Sequence, residues 1–238
     1  MKLHQDKKLF IEAIRITAQQ LNILDIYIEK DYWVTYALYL IYNSDVKEEA
    51  IFKGGTALSK CYKLIERFSE DIDLVLLRKE TDTNSQLSKK LKTVTNVITE
   101  PFVEEHLDGI TNKMGMIRKV AYNYPKSFKG RFGQVRDRII VEASWLGYFE
   151  PYTKKTISSY IYDMMVVTKQ TKIAEQFGML PFEVLVLDVR RTLCEKIMSL
   201  VRFSYAENPI EDLNNKIRHV YDIHQLLQDD EIKTFFDA

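Results

Sequence analysis

Apolar residues recur at helical spacing through the first 42 residues of the chain. Phe10, Ile14 and Leu21 follow a candidate helix cap at Asp6, and a second, aromatic-rich run occupies residues 28–42. Apolar residues that are three or four positions apart form one stripe on an α-helix. The pattern therefore predicts two N-terminal helices, each of which packs its stripe against the rest of the protein.

The pattern then changes to that of a strand, a tight turn and a helix. A short apolar stretch at residues 50–52 leads into Gly54-Gly55, and Thr56 is the expected N-cap of the helix that follows. The inward positions of this helix are Leu58, Cys61, Leu64 and Ile65. Residues 69–77 alternate with a period of two and end in an apolar run, which predicts a second strand.

The remaining chain continues with a predicted helix and further strands before it becomes mainly helical. An amphipathic helix is predicted near residues 87–98, followed by strands at 116–124 and 138–145. A further strand at 182–186 precedes the two clearest helices of the tail. These helices are expected at 187–203 and at about 212–227, with a break at Asn208-Pro209. This order predicts an α+β fold in which helices flank a mixed β-sheet and the C-terminal part is largely helical.

Composition restricts the class of protein. The chain has 238 residues, 34 Lys+Arg against 34 Asp+Glu, and 46% hydrophobic residues. These values exclude an intrinsically disordered chain and a uniformly basic protein that coats nucleic acid. Two cysteines make no disulfide framework, and neither a cleavable signal nor an apolar run of about 18 residues is visible. We therefore expect a cytoplasmic protein that has no membrane partner.

Two of the eight glycines are adjacent, at the junction where a strand becomes a helix. Glycine at such a junction lets backbone N–H groups of Gly54 and Gly55 approach an anion, which the N-terminus of the helix also attracts. The hydroxyl of Thr56 adds a donor. A phosphate site is one interpretation of this turn, and ordinary turn chemistry before a capped helix is the other.

Asp71 and Asp73 are separated by one residue on the second predicted strand. Their carboxylates then emerge on the same face, with backbones about 6.5–7 Å apart. Two like charges at this separation repel unless a cation lies between them, and carboxylate oxygens suit Mg²⁺. The alternative is a solvent-facing strand edge, where aspartate is disfavoured. The pair therefore favours a metal site.

These residues carry a resemblance to a known family. Residues 51–74, IFKGGTALSKCYKLIERFSEDIDL, resemble the signature of the AbiEii/AbiGii-type nucleotidyltransferase toxins, of the polymerase-beta-like nucleotidyltransferase superfamily. The resemblance extends upstream to Glu29-Lys30-Asp31-Tyr32 and downstream into the helical tail. It implies that Gly54, Gly55 and Thr56 hold the phosphates of a nucleotide, and that Asp71 and Asp73 hold divalent metal, Mg²⁺ or Mn²⁺.

The later motifs of that family map onto Lys196 and Asp222. Lys196 lies within an apolar stripe with Leu193 and Ile197, so it is either a lysine that reaches a triphosphate, as the resemblance implies, or one that snorkels at the core edge. Asp222 lies off the apolar stripe of its helix, with Arg218 one turn earlier. An exposed ion pair with Arg218 would explain it, whereas the resemblance implies a carboxylate of the active site.

Four further residues are candidates for supporting roles. Glu142, a lone acid in the apolar strand 138–145, is the best candidate for the third metal carboxylate that this superfamily commonly takes from a later strand. Lys60, Arg67 and Ser69 lie between the glycine turn and the aspartate pair and are candidate nucleotide ligands. The alternative is that the cations stabilise the C-terminus of the helix and that Ser69 belongs to an ordinary turn into the strand.

A basic tract at residues 113–138 contains eight cations and one acid, Asp137. The cations are Lys113, Arg118, Lys119, Lys126, Lys129, Arg131, Arg136 and Arg138, and the interleaved aromatics are Tyr122, Tyr124, Phe128 and Phe132. Such a composition suits phosphate contacts combined with base stacking. A solvated loop with ordinary core aromatics is the alternative.

The sequence thus predicts a metal-dependent enzyme that transfers NMP from an NTP to an acceptor. By resemblance, it is the toxin of a bacterial toxin–antitoxin, abortive-infection type system, with tRNA or another RNA as acceptor and a cognate antitoxin as partner. Residues 1–150 are expected to form the nucleotidyltransferase core with its N-terminal helices, and the mainly helical residues 151–238 to complete the active site. The alternatives are a protein or small-molecule acceptor, and a non-catalytic nucleotide-binding module that acts through a partner.

Overall fold

A mixed β-sheet forms the centre of the protein in the computed structural model, which describes residues 1–130, 133 and 135–237. Its strands are β1 (Ala50–Lys53), β2 (Ile72–Leu76), β3 (Val103–Glu105), β4 (Ile117–Asn123), β5 (Ile139–Ser144), β6 (Tyr152–Ile157) and β7 (Phe182–Leu187). Its α-helices are α1 (Lys7–Leu21), α2 (Asp25–Tyr42), α3 (Gly54–Ala57), α4 (Asn84–Asn96), α5 (Tyr160–Val167), α6 (Thr171–Gln176), α7 (Val189–Ser204), α8 (Pro209–Asn214), α9 (Ile217–Leu226) and α10 (Asp230–Asp237). The predicted α+β class is confirmed.

The strand order is β3-β4-β5-β2-β1-β7-β6. β2 lies at the centre, antiparallel to β1 and parallel to β5, and β1 is parallel to β7. β3 and β6, which form the two edges of the sheet, were not predicted from the sequence. Most residues of β6 are exposed polar residues, because an edge strand has one neighbour and does not need a buried apolar run. The division at residue 150 stays a prediction, although the sheet continues past that residue through β6 and β7.

The two N-terminal helices form as predicted, but α2 differs from an ordinary amphipathic helix. Asp6 caps α1 by accepting a hydrogen bond from the N–H of Leu9 at 3.0 Å. In α2, every residue from 28 to 35 is buried, including the charged run Glu29, Lys30 and Asp31. A helix enclosed on all sides needs partners for buried charges, and these partners come from segments that are distant in the chain.

The helix after the glycine turn starts earlier than predicted. Lys53 is its N-cap, and Thr56 lies inside α3, so the prediction of Thr56 as the cap is wrong. α3 continues as a π-helical segment, Leu58–Tyr62, which ends at Lys63 in the left-handed conformation. The predicted inward residues Leu64 and Ile65 therefore lie beyond the helix. Ile65 is nevertheless buried, because it packs against the C-terminal helices.

Two hydrophobic clusters hold the structure together. The larger one surrounds the sheet and includes α1, α2 and α4. The smaller one joins Leu58 and Ile65 to Leu193, Leu226 and Ile232 of α7, α9 and α10. This second cluster fixes the C-terminal helices beside the segment that follows the glycine turn. The single helix predicted at 212–227 is divided into α8 and α9. Among the described residues, no helix combines the length and hydropathy that crossing a membrane requires.

Candidate active site

The glycine turn lies directly against three of the predicted site residues. Gly54 has φ +78°, and a Cβ atom there would be 2.3 Å from Oδ2 of Asp73. A Cβ atom on Gly55 would be 2.7 Å from Nη2 of Arg67 and 2.9 Å from Oγ of Ser69. Both positions therefore require glycine, the first also because its backbone is left-handed. The fold brings together the turn, the second aspartate, Arg67 and Ser69.

Thr56 is a buried residue that holds Ser69 in place. The residue is 1% exposed, and its hydroxyl donates a hydrogen bond to Oγ of Ser69 at 3.0 Å. A buried hydroxyl with a partner holds that partner in place. In the structure Thr56 thus orients Ser69, and Ser69 in turn faces Gly55.

Charged residues form a row across four neighbouring strands. Lys53 on β1 is the register partner of Asp73 on β2, Asp73 is the partner of Glu142 on β5, and Glu142 is the partner of Lys119 on β4. Residues in register on adjacent strands point to the same face of a sheet. Two acids therefore lie side by side between two lysines. Lys119 Nζ is 2.8 Å from Oε2 of Glu142, whereas Lys53 Nζ is 2.8 Å from Oε2 of Glu195.

The acids of this row and Asp71 repel one another. Burial, followed by the nearby charges of Asp71 and Glu142, raises the pKa of Asp73 to about 7. Oδ2 of Asp71 lies 3.3 Å from Nη1 of Arg136, while Oδ1 of Asp71 is buried and has no hydrogen-bond partner among the described residues. Crowded carboxylates with an unpartnered oxygen fit a hard divalent cation. Among the described residues, no three His, Cys, Asp or Glu side chains are grouped closely enough to hold a metal ion by themselves.

The third group of site residues is a buried ion cluster. Asp222 is fully buried and accepts hydrogen bonds from Nε and Nη2 of Arg67 and from Nζ of Lys196, each at 2.7 Å. Burial alone would raise the pKa of Asp222, but hydrogen bonds from Arg67 and the charge of Lys196 hold it below the ordinary value. Asp222 therefore stays ionised and fixes two cations beside the glycine turn.

Both alternatives for these two residues fail. Lys196 is 6% exposed and points at a buried carboxylate, so it does not snorkel towards solvent. Asp222 contacts Arg67 and Lys196, whereas Nη1 of Arg218 lies 3.9 Å from Oε2 of Glu70. The helical tail is thus joined to the glycine turn by charge as well as by the second hydrophobic cluster.

Comparison with known protein families accords with this geometry. Residues 36–237 match the family model described as "Nucleotidyl transferase AbiEii toxin, Type IV TA system". The chain belongs to the AbiEii family. The resemblance seen in the sequence is therefore confirmed over most of the chain.

A solved structure shares the fold of this AbiEii-family chain. MenT4, a nucleotidyltransferase toxin of Mycobacterium tuberculosis H37Rv, aligns with a TM-score of 0.54 and 16% identity over 79% of this chain and 58% of MenT4. This chain therefore spans little more than half of MenT4. JHP933 of Helicobacter pylori aligns with a TM-score of 0.43 and 16% identity, over 85% of this chain and 68% of that one. A comparison with curated proteins finds no matching sequence.

Lys60 lies apart from the other predicted site residues of the AbiEii-family chain. Its ammonium is buried, 2.6 Å from Oδ1 of Asp31, and it also donates to the carbonyl of Ser158 at 3.2 Å. The second oxygen of Asp31 accepts from the N–H of Tyr160 at 2.9 Å. Lys60 and Asp31 thus connect α2, the π-helical segment and the start of α5, and none of these contacts involves the glycine turn.

Arg136 is a residue whose individual position the sequence analysis did not predict. Its N–H donates to Oε1 of the buried Glu70 at 3.1 Å, its carbonyl accepts from Nζ of the buried Lys30, and its guanidinium reaches Asp71. Lys30 and Arg136 are 106 positions apart in the chain. The motif Glu29-Lys30-Asp31-Tyr32 was the available signal, because charges inside an apolar helix need partners.

The basic tract contacts α2. Ion pairs neutralise more of its positive charge than its composition indicates. Glu29 accepts hydrogen bonds from the N–H groups of Ser127 at 2.6 Å and Phe128 at 3.2 Å. The tract's ion pairs join Lys113 to Glu104, Lys119 to Glu142, Lys126 to Asp137, Arg136 to Asp71, and Arg138 to Glu105 and Asp137. Arg118 donates to Thr95, and Lys129 is exposed.

The described aromatic residues of the tract are buried or packed against the core. Tyr122 and Tyr124 are each 3% exposed, and Phe128 packs against the main core. The three residues therefore fit the alternative of core aromatics, and burial excludes base stacking on Tyr122 and Tyr124. Arg131 and Phe132 lie outside the described residues.

Proposed function

We propose that this chain is a divalent-metal-dependent nucleotidyltransferase that transfers NMP from an NTP to RNA, with tRNA as the acceptor. One observation carries the proposal. The glycine turn leaves no room for side chains because Asp73, Arg67 and Ser69 occupy that space. An anion held by the turn would lie beside both a carboxylate group that can hold metal and a cation that is fixed in place.

Asp71, Asp73 and Glu142 would hold Mg²⁺ or Mn²⁺. Their crowding, and the unpartnered oxygen of Asp71, support this assignment. A bound divalent ion would neutralise phosphate charge and make the attacking hydroxyl more acidic. Lys119 contacts Glu142 and Arg136 contacts Asp71, so each of these two acids has a cation beside it.

Backbone N–H groups of Gly54 and Gly55 would bind the triphosphate, with Ser69 as a hydroxyl donor that Thr56 orients. Arg67 and Lys196 would supply positive charge, which favours the transition state of phosphoryl transfer when it is fixed beforehand. Asp222 is a positioning residue in this proposal, since both of its oxygens are engaged by those cations. Lys60 is omitted because its contacts, with Asp31 and the carbonyl of Ser158, do not involve the glycine turn or the ion cluster around Asp222.

Residues 1–150 would supply the groups that bind metal and phosphate, and residues 151–238 would complete the site through Lys196 and Asp222. RNA is the proposed acceptor because the basic tract carries exposed cations such as Lys129, and its half-exposed Arg136 contacts Asp71. Membership of a toxin–antitoxin family supports a cognate antitoxin as partner and growth arrest as the outcome of transfer.

The test is transfer of label from each α-labelled NTP, with Mg²⁺ or Mn²⁺, to total tRNA. Asp73→Asn should abolish labelling, whereas Asp108→Asn, at a fully exposed carboxylate, should preserve it. Label on protein or on a small molecule, with none on RNA, would overturn the RNA acceptor. Growth arrest that persists in cells expressing Asp73→Asn would favour a non-catalytic module that acts through a partner.

A further inference from the structure

Two aromatic rings stack on each other beside the candidate site without belonging to a hydrophobic core. The rings of Tyr27 and Phe68 have centroids 5.0 Å apart and an interplanar angle of 27°. Both residues are half-buried, and neither belongs to the two hydrophobic clusters of the described residues. Core packing therefore does not account for this pair.

The pair lies next to the groups that face the glycine turn. Phe68 stands between Arg67 and Ser69 in the chain, and those two side chains are directed to Gly55. The ring of Phe68 is directed instead to Tyr27, at the N-terminal end of α2. The stack thus occupies a different side of segment 67–69 from the groups proposed to bind the triphosphate.

A cleft opens at this stack. It has a volume of about 300 Å³, and its lining combines the two rings and Tyr160 with apolar Ile23 and Leu24. The carboxylate-bearing Glu66 and the amide-bearing Asn22 complete the lining. Leu24 is 60% exposed at the rim. Flat rings with a few polar groups at the edge suit a planar heterocycle whose edge carries hydrogen-bonding groups.

The basic tract passes over the same end of α2. A Cβ atom on Gly133 would lie 3.6 Å from the hydroxyl oxygen of Tyr27, and one on Gly130 would lie 3.4 Å from side-chain carbons of Ile26. A strand of nucleic acid that follows the exposed cations of this tract towards Asp71 would therefore pass the cleft.

We infer that the Tyr27–Phe68 cleft binds a nucleobase of the single-stranded end of the acceptor RNA. The base extends the aromatic stack, and the RNA backbone continues along the basic tract to the acids. This assignment rests on the proposed function and names a subsite for its acceptor. It also supplies the stacking surface that the buried aromatics of the tract cannot supply.

The test measures binding separately from transfer. Tyr27→Ala and Phe68→Ala should each weaken binding of adenosine and cytidine oligoribonucleotides by about 5- to 150-fold, as loss of one stacking partner does, and raise KM for tRNA without changing KM for the NTP. Tyr27→Phe, which keeps the ring, should bind the oligoribonucleotides as tightly as the wild type does. Tyr205→Ala removes an exposed tyrosine, at 87% exposure, and serves as the matched control.

A tryptophan at position 68 reports directly on the cleft and keeps an aromatic ring in place. Oligoribonucleotide should quench the fluorescence of Phe68→Trp, and Tyr27→Ala in the same background should remove that quenching. Unchanged oligoribonucleotide binding in both alanine variants, or weaker binding of the NTP in place of RNA, would overturn the subsite. Wild-type protein that labels no RNA while these binding effects persist would instead overturn the proposed function alone.

Discussion

Gly54 and Asp73 occupy the same space, since the Cβ atom that Gly54 lacks would lie 2.3 Å from Oδ2 of Asp73. Gly54→Ala must therefore displace the carboxylate or the turn. We expect transfer to fall by about 100-fold, the cost of misplacing a reacting group by about 1 Å. Gly109→Ala is the matched control, because Gly109 has φ +72° but open space around it. Equal losses of transfer in both variants would show that backbone strain alone is responsible.

Arg136 would compete with metal for Asp71 in the proposed site. Their ion pair is partly exposed, and such pairs contribute at most about 1 kcal/mol. Arg136→Gln should therefore strengthen Mn²⁺ binding in the absence of nucleotide, by up to about 5-fold, in isothermal titration calorimetry. Lys129→Gln removes an exposed cation of the same tract and should leave the affinity unchanged. Weaker Mn²⁺ binding in Arg136→Gln would contradict the competition.

Asp222 balances two cations, one of which is buried. Asp222→Ala leaves Arg67 and Lys196 without their partner, and removing one partner of a buried pair costs about 3–5 kcal/mol. Urea unfolding should show a loss of this size. Asp108→Ala removes a fully exposed carboxylate and should change stability by less than about 0.5 kcal/mol. A small loss in Asp222→Ala would mean that the cluster contributes little to folding.

Lys60 is expected to act in folding and not in nucleotide binding. Lys60→Met leaves Asp31 buried and without its cation, which should cost about 3–5 kcal/mol in urea unfolding. KM for the NTP should stay unchanged in the folded protein. Adding Asp31→Asn should recover part of the loss, because the amide oxygen can still accept from the N–H of Tyr160. A higher KM for the NTP in Lys60→Met would indicate that Lys60 does contribute to nucleotide binding.

His219 makes stability depend on pH. Burial, followed by the charges of Lys196 and Lys216, lowers the pKa of His219 to about 4 from an ordinary value of 6.5. Between these values the unfolded chain binds a proton at His219 that the folded protein excludes, so the contribution of His219 to stability becomes less favourable as pH decreases from about 6.5 to 4. Its Nδ1 is also buried without a hydrogen-bond partner among the described residues.

His219→Gln should therefore flatten the pH dependence of urea unfolding between pH 4.5 and 7.5. His224→Gln, at an exposed position of the same helix, should retain the wild-type dependence. An unchanged slope in His219→Gln would assign the acid sensitivity to other groups.

The order of the central elements could be read from the sequence because local pattern decides it. The alternation around Asp71 and Asp73 identifies β2, and the adjacent glycines mark the turn after β1. The helical register after the turn could not be read, since α3 gives way to a π-helical segment. Edge strand β6 was missed because its residues are mostly exposed and carry no buried apolar pattern.

The sequence by itself determined the family and the fold class and predicted the chemical type of the site, since those depend on residue types at short spacings. Only the tertiary structure decided which groups meet. It placed Glu142 in register with Asp73, joined Lys196 and Arg67 to Asp222, and assigned Lys60 to Asp31. The physical reason is that a charge within a fold must find a partner. Partners that lie up to 155 positions away, as Asp222 does from Arg67, leave no local pattern in the chain.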